Sequence, residues 1–153
     1  MLFRSASRAR AGSIFSSWPR HCASPEQIAT NKTVVTRFLD GVPTTPAAIT
    51  ARSLLLATDY IPHSPRLAAF NANNRVSGRQ GWVQAVEAGV LRPAPGPART
   101  RDLLIAQCDF VSVVWKQVLP DPDNASRTFE AFTFDTFRLQ NGQLAEHWDG
   151  TTR

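Results

Sequence analysis

Around residue 93 the hydrophobic pattern of this chain changes period, and that switch limits the possible folds more than any other feature. Ahead of it, apolar residues recur at helical spacing: Ile28, Val35, Phe38, Leu39 and Val42, then Ile49 with Leu54, Leu55 and Leu56, then Trp82, Val83, Val86 and Val90. Behind the Pro-rich stretch 93–97, the segments 99–107, 109–119, 128–139 and 143–149 are rich in Val, Phe, Thr and Ile and read as strands. Cys108-Asp109 and Gln140-Asn141-Gly142 are short enough for hairpins, whereas 120–127 is a longer polar turn. Three helices followed by an antiparallel meander predict an α+β domain in which a curved sheet wraps around the helices.

The punctuation sets the boundaries. Ser24-Pro25 with Gln27 is a helix start, because the hydroxyl caps a free amide and Pro fits the first turn. Helix one therefore spans 25–41, closed by Gly41 and Pro43. Thr45-Pro46 repeats the signal for a second helix ending near Thr58. Two prolines make Tyr60–Pro65 an extended piece, the Asn-rich stretch 71–78 reads as a loop, and a third helix covers 79–90.

Charge separates the ends of the chain. The formal charge is +5, from 17 basic and 12 acidic residues, but Arg4, Arg8, Arg10 and Arg20 stand in a stretch 1–24 that has no Asp or Glu. The remainder is close to neutral, without the Lys/Arg stripe that nucleic-acid binding needs. An Arg- and Ser-rich, acid-free beginning has the composition of a mitochondrial transit peptide, or of a disordered extension outside the fold. Residues 1–24 are thus set apart from a domain at 25–153. The chain is expected to be cytoplasmic, or mitochondrial if that segment acts in import, and to unfold at much the same temperature when begun at Ser24. Two cysteines, Cys22 and Cys108, allow at most one bridge. No apolar run is long enough for a membrane helix, so no membrane partner is expected. The sequons at Asn31 and Asn124 match the glycosylation pattern by chance unless the chain is secreted.

Four segments carry a family likeness: Asn31–Phe38, Tyr60–Pro65, Gly78-Arg79-Gln80-Gly81, and most specifically Phe134–Asp149. From about residue 26 to 150 the chain resembles the SnoaL-like polyketide cyclases of the nuclear transport factor 2-like superfamily. The resemblance implies a cone in which the sheet and helices enclose an apolar cavity. It also implies a homodimer and a small hydrophobic, ring-containing or polyketide-like ligand, handled without a cofactor. The superfamily spans several reaction types, so the fold does not fix the reaction.

The position that matches the family's general acid/base is Asp149. A carboxylate lining an apolar cavity is poorly solvated, which favours taking and returning a proton; the alternative is an exposed Asp beside a surface Arg. His147 lies two residues earlier, hence on the same strand face, where it would orient that acid or serve as a structural residue. Asp135 matches a pocket-facing polar position at which the resembled cyclase has a histidine, and a second carboxylate there would push one of the two up in pKa. A three-residue loop at 140–142 would gather Asp135, Phe137, Ala145, His147 and Asp149 on one face, Asp135 opposite His147. His63 and Tyr60 match the beginning of the pocket wall, or pack within a loop. Trp115 is a flat wall for a ring, or a core aromatic. Glu146 and Trp148 point the other way, toward a dimer partner or a helix. The donors His63, Asp135, His147 and Asp149 fit no metal-ligand spacing, and no phosphate loop or nucleophile elbow is present. The expected function is a cofactor-free acid/base enzyme acting on a small hydrophobic polyketide-like or cyclic carbonyl compound, as cyclase, isomerase or hydratase/hydrolase. The alternative is a non-catalytic binding or dimerisation domain.

Overall fold

The computed structural model describes residues 23–92 and 96–150; the Arg-rich segment up to residue 22 lies outside them. Helix starts follow the Ser/Thr-Pro signal. In α1 (Pro25–Phe38) the Ser24 hydroxyl accepts the Gln27 amide at 3.2 Å, and in α2 (Pro46–Ser53) Thr45 accepts that of Ala48 at 3.3 Å. The same pair, Ser64-Pro65, opens a helix that the sequence reading did not anticipate, α3 (Pro65–Asn74), which ends at Arg75 in the left-handed region. It occupies the first half of the Asn-rich stretch read as a loop. α4 (Gly78–Glu87) is the predicted third helix, so the described residues hold four helices rather than three.

The second predicted helix is cut short, and β1 (Leu56–Pro62) takes its place. Leu56 and Tyr60 are buried while the residues between them are not. β2 (Thr100–Gln107), β3 (Phe110–Asp121), β4 (Asn124–Gln140) and β5 (Gln143–Asp149) follow as a meander. The predicted long turn at 120–127 shrinks because β3 and β4 stay paired as far as Asp121 and Asn124. The strand order is β1-β5-β4-β3-β2, and β1 runs parallel to β5. The sheet is therefore mixed rather than wholly antiparallel, and β5 is an inner strand. No helix among the described residues is long and apolar enough to cross a membrane.

The core lies between the helices and the concave face of the sheet. Val35, Phe38, Ile49, Trp82 and Val86 meet Val111, Val113, Phe137 and Leu139 there, each large side chain contributing about 1.5–3 kcal/mol by burial. Asn31 of α1, almost wholly buried, donates to the Cys108 carbonyl at 3.2 Å in the β2–β3 turn. That position is closed to glycosylation in the folded chain. α4 is seated on β1 by two devices. Arg79 donates to the Leu56 carbonyl from Nε at 2.9 Å and from Nη2 at 2.5 Å. Gly78 has φ +59°, and a Cβ there would stand 2.1 Å from the Thr58 carbonyl oxygen.

The β4–β5 hairpin decides which face the site occupies. Asn141 and Gly142 both have positive φ, 52° and 75°, and Gln140 pairs with Gln143, so the turn has two residues rather than the expected three. Continued regularly, that turn would set Asp135 opposite Trp148, on the wrong face. Instead Leu139 pairs with Leu144 but Arg138 with Glu146, leaving Ala145 as the extra residue of a β-bulge. Leu144 and Ala145 are accordingly both buried. Beyond the bulge Asp135 lies opposite Asp149 and Phe137 opposite His147. The expected residues share a face, in a register offset from the expected one.

Candidate functional site

A pocket of about 490 Å³ opens between the helices and the concave sheet face. Phe38 of α1, Leu67 of α3 and Trp82 of α4 supply apolar wall, and Tyr60 and Trp115 supply it from the sheet. Asp135, His147, Asp149, Arg99 and Tyr60 are its charged or titratable members.

Asp135 is the hub. It is buried, its Oδ2 accepts the Trp115 indole N–H at 2.5 Å, and its Oδ1 lies 3.1 Å from His147 Nε2. The Arg99 guanidinium stands 3.9 Å from Oδ2. Burial pushes this carboxyl up. The bond and charge of His147, the Trp115 N–H and the charge of Arg99 together outweigh burial and hold it below the usual carboxylate range. The second negative charge thus does not make Asp135 a proton carrier; it is an anchored anion. An ionised carboxylate only accepts, so Nε2 of His147 carries the shared hydrogen and Nδ1 is the nitrogen left over. The imidazole plane is fixed from behind by Phe137, stacked at 4.3 Å and 3°.

Asp149 also lines the pocket, and its Oδ1 is buried without a hydrogen-bond partner among the described residues. Tyr60 faces both carboxylates. Burial first, then the charges of Asp149 and Asp135, push its phenol above its ordinary range, so it keeps its proton.

Two candidates from the sequence do not line this pocket. His63 lies on the outer face, its Nε2 2.9 Å from Glu146 Oε2 and its ring stacked on Trp148 at 4.6 Å. It stands three residues from Tyr60, an odd separation that points two strand residues to opposite faces. Phe137 is wholly buried behind His147, packed at 5.9 Å on Phe38, and supports the site rather than lining it. Arg99 was not foreseen. It precedes β2 on the concave side, with its Cζ 4.4 Å from the centre of the Trp115 ring. The signal available was the pair Arg99 and Arg101, two apart at the start of a strand. Among the described residues no three His, Cys, Asp or Glu side chains gather as a metal ion would require.

Solved structures of similar shape decide the fold. A protein named as a SnoaL-like polyketide cyclase from Jannaschia sp. aligns with a TM-score of 0.53 at 16% identity, over 83% of this chain and 88% of its own. The chain has the nuclear transport factor 2-like fold. A nuclear transport factor 2-like protein of unknown function from Burkholderia pseudomallei gives 0.53 at 14% identity, over 80% and 91%. One named as a ketosteroid isomerase from Kribbella flavida gives 0.52 at 15%, over 80% and 78%. The likeness to SnoaL-like proteins read in the sequence thus reappears in three dimensions. No protein-family model matches the chain, and none of the curated proteins does. In this nuclear transport factor 2-like domain the fold leaves the chemistry to the site's own residues.

Proposed function

We propose that the chain is a cofactor-free acid/base enzyme acting on a small hydrophobic cyclic carbonyl compound. One observation carries the reading: Asp149, on the pocket wall, has a buried carboxylate oxygen that no described residue satisfies. A buried acceptor left unpaired is costly, and catalytic groups are among the few that stay so. In this reading Asp149 removes a proton from the carbon beside the carbonyl and returns it elsewhere on the substrate. Tyr60, which keeps its proton, is the donor for the oxygen on which charge develops, and His147, whose Nε2 is engaged with Asp135, adds a second donor from Nδ1 only as the imidazolium. Trp115, Trp82 and Phe38 hold the ring. That half-reaction is common to cyclisation, isomerisation and hydration.

The test is deuterium exchange at the α-carbon, followed by NMR in heavy water, over a panel of cyclic and bicyclic ketones that includes 1-tetralone. The wild-type protein should exchange at least one of them far faster than buffer. Asp149→Asn should lower that rate by about a hundredfold or more while binding the ketone with similar affinity. No exchange above buffer across the panel, or an Asp149→Asn protein as fast as wild type, would leave the pocket as a binding site without turnover.

A further inference from the structure

We propose that Arg99, seated on Trp115, is the recognition point for an anionic oxygen of the ligand. The substrate is then a ring carbonyl compound that also carries a carboxylate. The acid/base reading enters only in saying which end of the ligand reacts; the end that is held is argued independently.

Arg99 is the only Lys or Arg on the pocket wall among the described residues. Its side chain is half exposed, at 50%, so it stands at the mouth. Its donors are unspent. The nearest carboxylate oxygen, Asp135 Oδ2, is 3.9 Å away, too far for a hydrogen bond. That oxygen already accepts from Trp115, and the other is engaged with His147. Among the described residues the guanidinium makes no hydrogen bond. Yet it is held in place, 4.4 Å above the indole. A guanidinium positioned by an aromatic face, with its N–H groups free, is suited to a carboxylate, which can take two of them at once. Arg101 adds positive potential 5.7 Å from the same ring, while its own contacts go to Asp40 at 3.9 Å and Thr36 at 3.3 Å.

The opposing charge of Asp149 orients the ligand rather than excluding it. Trp115 is on β3 and Asp149 on β5, two strands and about 10 Å of backbone apart, while the nearer anion, Asp135, has its two oxygens engaged by Trp115 and His147. Coulomb energy falls with distance, so an anion touching Arg99 and that far from Asp149 is held, whereas the reverse pose is repelled. A ligand that fills both ends has its acidic group at Arg99 and its carbonyl near Asp149, the length of a bicyclic system.

The probe pair is 6-carboxy-1-tetralone and its methyl ester, with binding to the full chain measured by titration calorimetry. The wild-type protein should bind the acid about tenfold or more tightly than the ester, and added salt should narrow the gap. Arg99→Gln should bring the two within about twofold without weakening the ester, with circular dichroism confirming the fold; Arg99→Lys should retain part of the preference. Asp149→Asn should keep the preference while losing α-proton exchange, which separates failure of this proposal from failure of the acid/base reading. Equal affinities in the wild-type protein, no binding of the acid, or a preference unchanged in Arg99→Gln would overturn it.

Discussion

Asp135 stores stability in its ionised form. Its pKa is lower in the folded chain than in the unfolded one, so that stability is present in full above the ordinary carboxylate value of about 4 and is lost as pH falls through the folded value. Glu146 behaves alike. Burial raises it, but the bonds from His63 and Arg138 outweigh that and hold it too below the usual carboxylate range. A variant is needed to isolate Asp135. Asp135→Asn should cost about 1–3 kcal/mol in urea denaturation at pH 7, and the difference from wild type should shrink as pH is taken well below 4. A gap that stays constant with pH would show that Asp135 is not held as an anion. The companionship of His147 and Asp149 was legible in the sequence because positions two apart on a strand share a face whatever the register, whereas that of Asp135 depends on the register and rests on the Ala145 bulge. The role of Asp135 was not legible, since the Trp115 and His147 contacts that lower its pKa come from other strands. His63 was misplaced because Tyr60–Pro65 was read as an extended loop; read as a strand, its odd distance from Tyr60 would have sent it outward.

At the scale of elements, two glycines with similar backbones face different surroundings. Gly142, φ +75°, has nothing within 4 Å of where a Cβ would be, so Gly142→Ala meets backbone strain alone, about 1 kcal/mol. Gly78→Ala adds a collision with the Thr58 carbonyl that neither α4 nor β1 can relieve by rotating a side chain. It should cost about 2–3 kcal/mol and, since α4 carries Trp82, weaken ligand binding as well. Equal losses in the two variants, measured by urea denaturation, would mean that α4 is free to shift. Element starts were readable wherever Ser or Thr precedes Pro. α3 was missed although Ser64-Pro65 announces it, because only Leu67 and Asn71 of its ten residues are buried and the apolar period is too sparse to register. β1 was hidden in the run Leu54–Leu56, which suits a buried helix or a buried strand equally well.

Across the whole molecule, the sheet separates a pocket from an open apolar surface. Leu103, Ile105, Val118, Phe132 and Phe134 lie on its outer face and are 44–55% exposed, a concentration unusual on a chain that acts alone. The homodimer that the family resemblance implies is expected on this face. Sedimentation should give a dimer, and Phe134→Asp a folded monomer; a wild-type monomer at micromolar concentration would discount it. The Ala145 bulge, finally, bears on how this hairpin can differ among relatives. A chain with one residue fewer between Leu139 and His147 could keep the same rungs from Arg138–Glu146 onward with a regular ladder, because the bulge absorbs a single residue without disturbing the pairs that follow. A one-residue gap in an alignment of this hairpin is therefore compatible with an intact site. Two gaps there would not be interchangeable with one.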